Sequence, residues 1–500
     1  MEYKITLLPK RDTIVCKKGQ TLSDALALAN YYLPAFCGGK GTCGKCKIKL
    51  LSGNVEGQIP DENGFILSCK AKIKEDITVY FNQQSGGGLT QFEEESVDSE
   101  LLQAKKEGLG VALDIGTTTL AACLVHLSSG KTLKKISALN PQSVCGADVL
   151  SRINACTNGK LSLLQSLILD KTKELIRLLT NGEKVKELYV SANTTMLHLF
   201  LGVNPESIGK YPFTPVFTGS KTLSGKELGL PVERVCLLPS ASAYVGSDIT
   251  AGVLVLNQSD KTQTSILVDV GTNGEIVLAK NGVLYATSTA AGPALEGACI
   301  ECGIGGVNGA IDRFFVKNGE LTFSTIEDKK PVGICGSGLI DLIALLCSED
   351  IIDETGAFNY DSESKFISKL NDDRFYVTED IYLSQKDIRQ FQLAKSAICA
   401  GIETMLIEKE VNISDIQNLY IAGGLGFYMN IENACNVGLL PKELQKVAKV
   451  VGNTSLAGVK LCLTEDRAFK TIQDIANDLQ IVELSFSKVF QDKYVENMMF

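Results

Sequence analysis

The sequence predicts a multidomain α/β and α+β protein in three parts: a small strand-rich unit over residues 1–82, a linker over 83–107, and a duplicated α/β body. The body divides into a first lobe, 108–260, and a second, 261–500. Three observations predict this. A cysteine- and glycine-rich loop, FCGGKGTCGKC followed by LSCKA, lies among short alternating strands. The composition then shifts to NQQSGGG and an acidic run. Beyond residue 108, one strand–turn–strand pattern occurs twice in the same order.

In the first part, YKITLL (3–8) and DTIV (12–15) alternate as half-buried strands, and TLSDALALANYY opens with a threonine cap before a helical apolar face. KCKIKLLSG and DITVYF read as further strands. Cys37, Cys43 and Cys46 are spaced C-x5-C-x2-C, and Cys69 follows. Gly38, Gly39, Gly41 and Gly44 let the backbone curl with its amides turned inward. The pattern resembles the C-x5-C-x2-C…C ferredoxins, one residue longer in its first gap than the plant type. That resemblance implies a β-grasp ferredoxin-like domain whose four cysteines hold a 2Fe-2S cluster. Because C-x2-C is also a zinc half-site, zinc is the alternative. Cys16 lies outside the loop and reads as a buried thiol.

Between 83 and 107, three consecutive glycines and an acidic stretch read as a flexible linker, so that the cluster would be carried on a tether. A chain of 500 residues, 45% of them apolar, supports several cores. A net charge of −9 without lysine or arginine clusters argues against a nucleic-acid partner. No export signal and no long uncharged apolar run are evident, so a cytoplasmic protein with no membrane association is expected. The 16 cysteines are scattered through apolar runs and read as reduced thiols rather than a disulfide framework. With only two histidines, His126 and His198, acid–base and metal chemistry falls mostly to carboxylates. His198 sits on the apolar face of TTMLHLFLG and reads as a core residue.

In the duplicated body, GVALDIGTTTLAACLV (110–125) matches SILVDVGTNGEIVLAK (265–280), and KELYVSANTTM (187–196) matches QNLYIAGGLGF (417–427). A strand ending in Asp-x-Gly-Thr sets one carboxylate at a tight hairpin beside free amides and a hydroxyl. Amides and hydroxyls bind phosphate oxygens, and the carboxylate holds magnesium or orients water. Two such hairpins, one per lobe, would grip a nucleotide's phosphates from both sides.

These segments resemble the motifs of the actin, sugar kinase and heat-shock chaperone superfamily of ATP-binding proteins, which implies a duplicated ribonuclease H-like ATPase. Asp114, Gly116, Thr117 and Thr118 match its phosphate 1 motif. Asp269, Gly271, Thr272 and Asn273 match phosphate 2, and Gly423, Gly424 and Gly426 match the adenosine loop. Gly336, Ser337 and Gly338 in ICGSGLIDLIALL look like the second connecting helix, the glycines allowing close approach of the lobes. A simple glycine-initiated helix is the other reading. Asn193, Thr194 and Thr195 either line the cleft or cap the next helix. Glu296 in GPALEG is either a catalytic carboxylate with Asp114 and Asp269 or a first-turn helix acid. Cys299 and Cys302 in GACIECGIGG are either a redox pair or a subunit-bridging cluster half-site, or else two small buried residues near a glycine turn.

A ferredoxin-type domain joined to such an ATPase, with NPQSVCGADVLSRI, YPFTP and GPALEG in order, resembles the reductive activators of corrinoid-dependent methyltransferases. The resemblance implies ATP-dependent, one-electron reduction of Co(II) to Co(I) in a corrinoid protein. It brings ATP, Mg2+, a 2Fe-2S cluster and a low-potential electron donor, and leaves a homodimer open. Longer members carry an extra middle domain that is expected to be missing here. The Co(II)/Co(I) couple lies below an ordinary plant-type cluster at about −400 mV, and each 100 mV of uphill gap costs roughly 2.3 kcal/mol per electron. A dehydratase activator with a four-iron cluster, a kinase with a redox domain, and an iron–sulfur redox sensor are the alternatives. If Cys43 is a ligand, Cys43→Ser removes the cluster's visible absorbance, whereas an unchanged spectrum would sink the assignment.

Overall fold

The computed structural model describes residues 2–29, 31, 33, 39, 41, 44–81, 106–258, 260, 262–424 and 429–500. Cys37, Cys43, Gly426 and nearly all of the expected linker lie outside the described residues.

The N-terminal part contains β1 (Glu2–Leu8), β2 (Asp12–Lys17), α1 (Leu22–Leu28), β3 (Lys47–Ser52), β4 (Val55–Glu56), β5 (Phe65–Leu67), β6 (Lys72–Ile73) and β7 (Ile77–Tyr80). Its main sheet runs β2-β1-β7-β3-β5, with β1 and β7 parallel. Alternation decides which side chains face inward: Ile5, Leu7, Ile77 and Val79 are buried, and α1 covers them with Leu22 and Leu26. Thr21 caps α1 by accepting from the Asp24 amide at 3.1 Å, as its position predicts. Cys16 is buried as expected, its thiol turned to the Tyr3 carbonyl.

The first lobe contains β8 (Leu109–Ile115), β9 (Thr119–His126), β10 (Lys131–Leu139), α2 (Val149–Ala155), α3 (Leu161–Thr180), β11 (Val185–Ala192), α4 (Thr194–Leu201), β12 (Lys221–Ser224), β13 (Val232–Leu237) and α5 (Ser247–Val255). The second begins with β14 (Ser265–Val270), β15 (Gly274–Lys280) and β16 (Val283–Thr289). It continues through β17 (Ala310–Lys317), β18 (Glu320–Thr325), β19 (Gly333–Ile334), α6 (Gly336–Ser348), β20 (Leu370–Asn371), β21 (Arg374–Tyr376), β22 (Tyr382–Ser384) and α7 (Gln385–Glu408). It closes with β23 (Asn418–Ala422), α8 (Ile431–Asn436), β24 (Ala448–Gly452), α9 (Thr454–Thr464), α10 (Asp466–Asp478), β25 (Gln480–Ile481) and α11 (Lys488–Glu496).

The two large sheets have matching orders, β10-β9-β8-β11-β13-β12 and β16-β15-β14-β23-β24 with β25 added beside β16. In each, an antiparallel three-strand meander is followed by parallel strands that return beside the first. This is the duplicated ribonuclease H-like topology that the repeated motifs predict. The small sheets β17–β19 and β20–β22 are additions to the second lobe between β16 and α7.

The lobes exchange helices at their boundary. Ile249 and Val253 of α5 pack on Leu267, Val277 and Ala286 of the second sheet. Leu456, Val459 and Cys462 of α9 pack on Ala112, Cys123 and Tyr189 of the first. The two helices cross where Gly458 meets Ala251 and Gly252 meets Thr454. A Cβ on Gly458 would lie 2.7 Å from that of Ala251, so only glycine admits the crossing. The close approach between lobes is therefore here and not at Gly338, whose hydrogen faces the Ile311 carbonyl within the second lobe.

Candidate functional site

Asp114 and Asp269 lie near the ends of the first strands of their sheets, on opposite sides of the cleft between the lobes. Behind each aspartate the chain turns tightly: the Gly116 amide donates to the Thr119 carbonyl at 3.0 Å, and the Gly271 amide to that of Asn273 at 3.0 Å. A Cβ on Gly116 would come within 2.6 Å of that Thr119 oxygen, which explains the glycine. Asn140 braces the first turn, its side-chain amide donating to the Gly116 carbonyl at 2.9 Å.

The two aspartates differ in surroundings. Strand register sets Ser191 opposite Asp114, and the start of α9 brings Ser455 and Asn453. Asp114 accepts from Ser455 Oγ at 2.7 Å, Asn453 Nδ2 at 2.8 Å and Ser191 Oγ at 3.3 Å. Asp269 receives no hydrogen bond from the described residues. Desolvation, with the charges of Asp114 and Glu296 adding to it, pushes the Asp269 carboxyl up to about 7.

Glu296 joins the two sides. Its Oε2 accepts from Thr118 Oγ of the first lobe at 2.8 Å and from Thr272 Oγ of the second. Burial raises its proton affinity, and the two hydroxyls partly offset the effect. Asp248, at the start of α5, and Glu275, on β15, complete a group of five acids. Both are pushed upward by desolvation first and by their carboxylate neighbours second. Beside Glu296 is Arg152, fully buried, whose guanidinium donates to the carbonyls of Gly146 and Thr117 and to Gln142 Oε1. It thereby fixes the first hairpin from behind.

Gly423, at φ +96°, ends β23 against Asp269; a Cβ there would lie 2.7 Å from the carboxylate oxygen. Gly424 has open space on its side. In the ferredoxin-like part, Cys46 Sγ lies 3.3 Å from Cys69 Sγ, too far for a disulfide and close enough for two ligands of one centre. The Cys69 thiol lowers the Cys46 pKa to about 6, favouring the thiolate that metal ligation requires.

Comparison with known proteins bears directly on this arrangement. A 2Fe-2S iron-sulfur cluster binding domain model matches residues 5–74, a RACo middle region model matches 109–261, and a model of the C-terminal domain of RACo, the ASKHA domain, matches 263–500. The corrinoid activation enzyme RamQ of Eubacterium limosum is 34% identical over 424 residues, covering 80% of this chain and 71% of the relative. The chain belongs to the corrinoid activation enzyme family. The [Co(II) methylated amine-specific corrinoid protein] reductase of Methanosarcina barkeri is 24% identical over 431 residues, with 77% of this chain and 76% of that protein covered. A solved reductive activator for corrinoid, iron-sulfur protein superposes with a TM-score of 0.75 at 27% identity over 100% of this chain and 98% of that one. The region described as RACo middle coincides with the first lobe, so a segment of that description is present here.

For this corrinoid activation family member, the structure brings Asp114, Thr118, Thr272 and Glu296 together and sets Asp269 and Gly423 in contact. Asn193 both caps α4, accepting from the Met196 amide at 2.9 Å, and donates to Thr117 Oγ at 3.2 Å. Thr194, read as lining the cleft or capping the helix, is buried, and its hydroxyl donates to the Ser242 carbonyl at 2.6 Å, supporting the approach to α5. Gly336 and Ser337 start α6 inside the second lobe, with Ser337 Oγ donating to the Asp312 carbonyl at 2.9 Å, so their visible role is to begin a buried helix. His198 is a stacked core residue as expected, 4.3 Å from Phe217. Cys299 is exposed and Cys302 half-buried. Among the described residues no three or more His, Cys, Asp or Glu side chains are placed to hold a metal ion between them, and no helix is long and apolar enough to cross a membrane.

Sequence reasoning missed Asp248, Glu275, Asn453, Ser455, Ser191 and Arg152 as parts of the site. The signal for three of them, Asp248, Asn453 and Ser455, was present: GSDI follows the last parallel strand of the first lobe, GNTS comes at the end of that of the second, and each opens a helix. Between about 4, where an unfolded carboxyl titrates, and about 7, the folded chain binds more protons at Asp269 than the unfolded chain does. Stability from this group therefore falls as pH rises through that window. Asp269→Asn is expected to raise the urea midpoint, more at pH 8 than at pH 5.5, while cutting ATP hydrolysis by about a hundredfold or more. A variant less stable than its parent at pH 8 would contradict this.

Proposed function

We propose that the chain is an ATP-dependent reductive activase that delivers one electron to the Co(II) of a corrinoid protein, giving Co(I). The observation that carries the reading is the convergence of Asp114, Asp269 and Glu296 from both lobes on one cleft, in a chain that also bears a ferredoxin-like domain. Cys37, Cys43, Cys46 and Cys69 would hold the 2Fe-2S cluster; the Cys46–Cys69 approach and the lowered Cys46 pKa support this. When bound, the cluster supplies a one-electron carrier filled by a separate low-potential donor.

In the cleft, Thr117, Thr118, Thr272 and Asn273 offer hydrogen bonds to phosphate oxygens, the amides of Gly116 and Gly271 being used to close their own turns. Gly423 lets the strand end pass against Asp269, and the open space at Gly424 leaves room there for the nucleoside side. A group of five acids with a single buried arginine is costly to hold near neutral pH, and an Mg2+ ion accompanying ATP, held through water by Asp114 and Asp269, would offset that repulsion. Asp114, held by three donors, is fixed in one orientation suited to water on the metal. Asp269, with its raised pKa, is suited to accept the proton of the water that attacks the terminal phosphate. Hydrolysis to ADP and phosphate then accompanies transfer of one electron, the donor being oxidised and the cobalt reduced.

The test is anaerobic mixing of the protein with candidate Co(II) corrinoid proteins, a low-potential reductant and ATP-Mg. The Co(I) absorbance band is expected with a cognate partner and only with ATP. No ATP-dependent band with any candidate would overturn the reading.

A further inference from the structure

The cluster-bearing domain rests on both lobes at once. On the first-lobe side, Asp24 of α1 pairs with Lys160 Nζ at 2.8 Å, and the neighbouring Ala27 is buried in the first lobe's core cluster. Cys69 and Thr21 face Cys145 and Asn158 across the same contact. On the second-lobe side, Lys45, next to the ligand candidate Cys46, donates to the carbonyls of Ile300 and Glu301 at 3.1 and 2.9 Å. Those carbonyls belong firmly to the second lobe: the Glu301 amide donates to Asp387 Oδ1 at 2.8 Å, and its carboxylate accepts from Tyr382 at 2.8 Å.

A domain with its own core, anchored at two points, is a strut between the lobes. Hydrogen bonds at these lengths do not survive a shift of about 1 Å. Any change in lobe spacing must break one anchor or the other. The spacing is set at the cleft by Glu296, which ties Thr118 to Thr272. Triphosphate oxygens need those same hydroxyls and repel that carboxylate. Glu296 also lies four positions before Ile300, at the start of a turn in which Gly297 and Gly303 pack backbone to backbone. Displacing Glu296 therefore moves the carbonyls that Lys45 holds.

We propose that the ferredoxin-like domain is a strut seated across the two lobes and that nucleotide binding in the cleft unseats it, freeing the cluster-bearing edge to meet another protein. The inference rests on the nucleotide reading above and gives the coupling a physical form. In the seated position Cys69 faces the first lobe, so electron delivery to a separate protein requires release. Linkage makes the effect reciprocal: if nucleotide weakens the seat, a weakened seat strengthens nucleotide binding by the same factor.

The experiment is hydrogen exchange on the full-length, cluster-loaded protein with and without a non-hydrolysable ATP analogue and Mg2+. Expected are slower exchange over 114–118 and 269–273, and at least about tenfold faster exchange over 22–28, 154–160 and 298–303. Lys160→Glu should show the faster exchange of the seat without nucleotide and bind the analogue more tightly. Asp24→Lys combined with Lys160→Glu should restore both, as a merely misfolded variant would not. Protected hairpins with an unchanged seat would overturn the strut, whereas unprotected hairpins would overturn the nucleotide reading and the strut with it.

Discussion

The crossing of α5 and α9 is the constraint on which the cleft depends. Each helix starts in one lobe and packs on the other lobe's sheet, so the first turn of each is delivered to the opposite aspartate. That is why Asn453 and Ser455, from the second lobe, hold Asp114 of the first. It is also why Asp248, from the first lobe, lies in the field of Asp269 and Glu275 of the second. Gly252 and Gly458 make the crossing close enough for this to happen. The lobes are consequently interlocked as well as adjacent, and a change at either hairpin is felt by the helix start facing it.

The electrostatics of the cleft oppose stability. Five carboxyl groups with raised proton affinity, and one buried arginine beside Glu296, leave like charges crowded in a desolvated cleft. Proteins keep such arrangements where ligand binding relieves them. Here the relief would arrive with nucleotide, and Glu296 is placed to convert it into lobe movement because it hydrogen-bonds both hairpins. An uphill electron transfer needs this kind of device, since nucleotide can favour transfer only by changing which states of the complex are populated.

Local chemistry was legible in the sequence, and long-range packing was not. The aspartate hairpins could be read because a strand, a carboxylate and a glycine turn are contiguous, and duplication distinguished them from ordinary turns. The ferredoxin-like part could be read from cysteine spacing and strand alternation. Asp248, Asn453 and Ser455 are remote in sequence from the aspartates they face, and only the helix crossing brings them there. Gly338 misled because a glycine at a helix start signals close approach without saying to what; the neighbour is Ile311 of the same lobe. Asn193 was ambiguous between cap and cleft because it does both. The seat of the cluster domain rests on Lys45, Lys160 and Asp24, ordinary surface charges until the fold juxtaposes them.

The central claim is that the nucleotide cleft controls electron delivery from a cluster held elsewhere in the chain. Its most direct measurement is the yield of Co(I) per cluster in a single anaerobic turnover by Asp114→Asn, with cluster absorbance recorded on the same sample. An unaltered cluster spectrum is expected, with Co(I) reduced to the level seen without ATP. Wild-type Co(I) yield from that variant would contradict it.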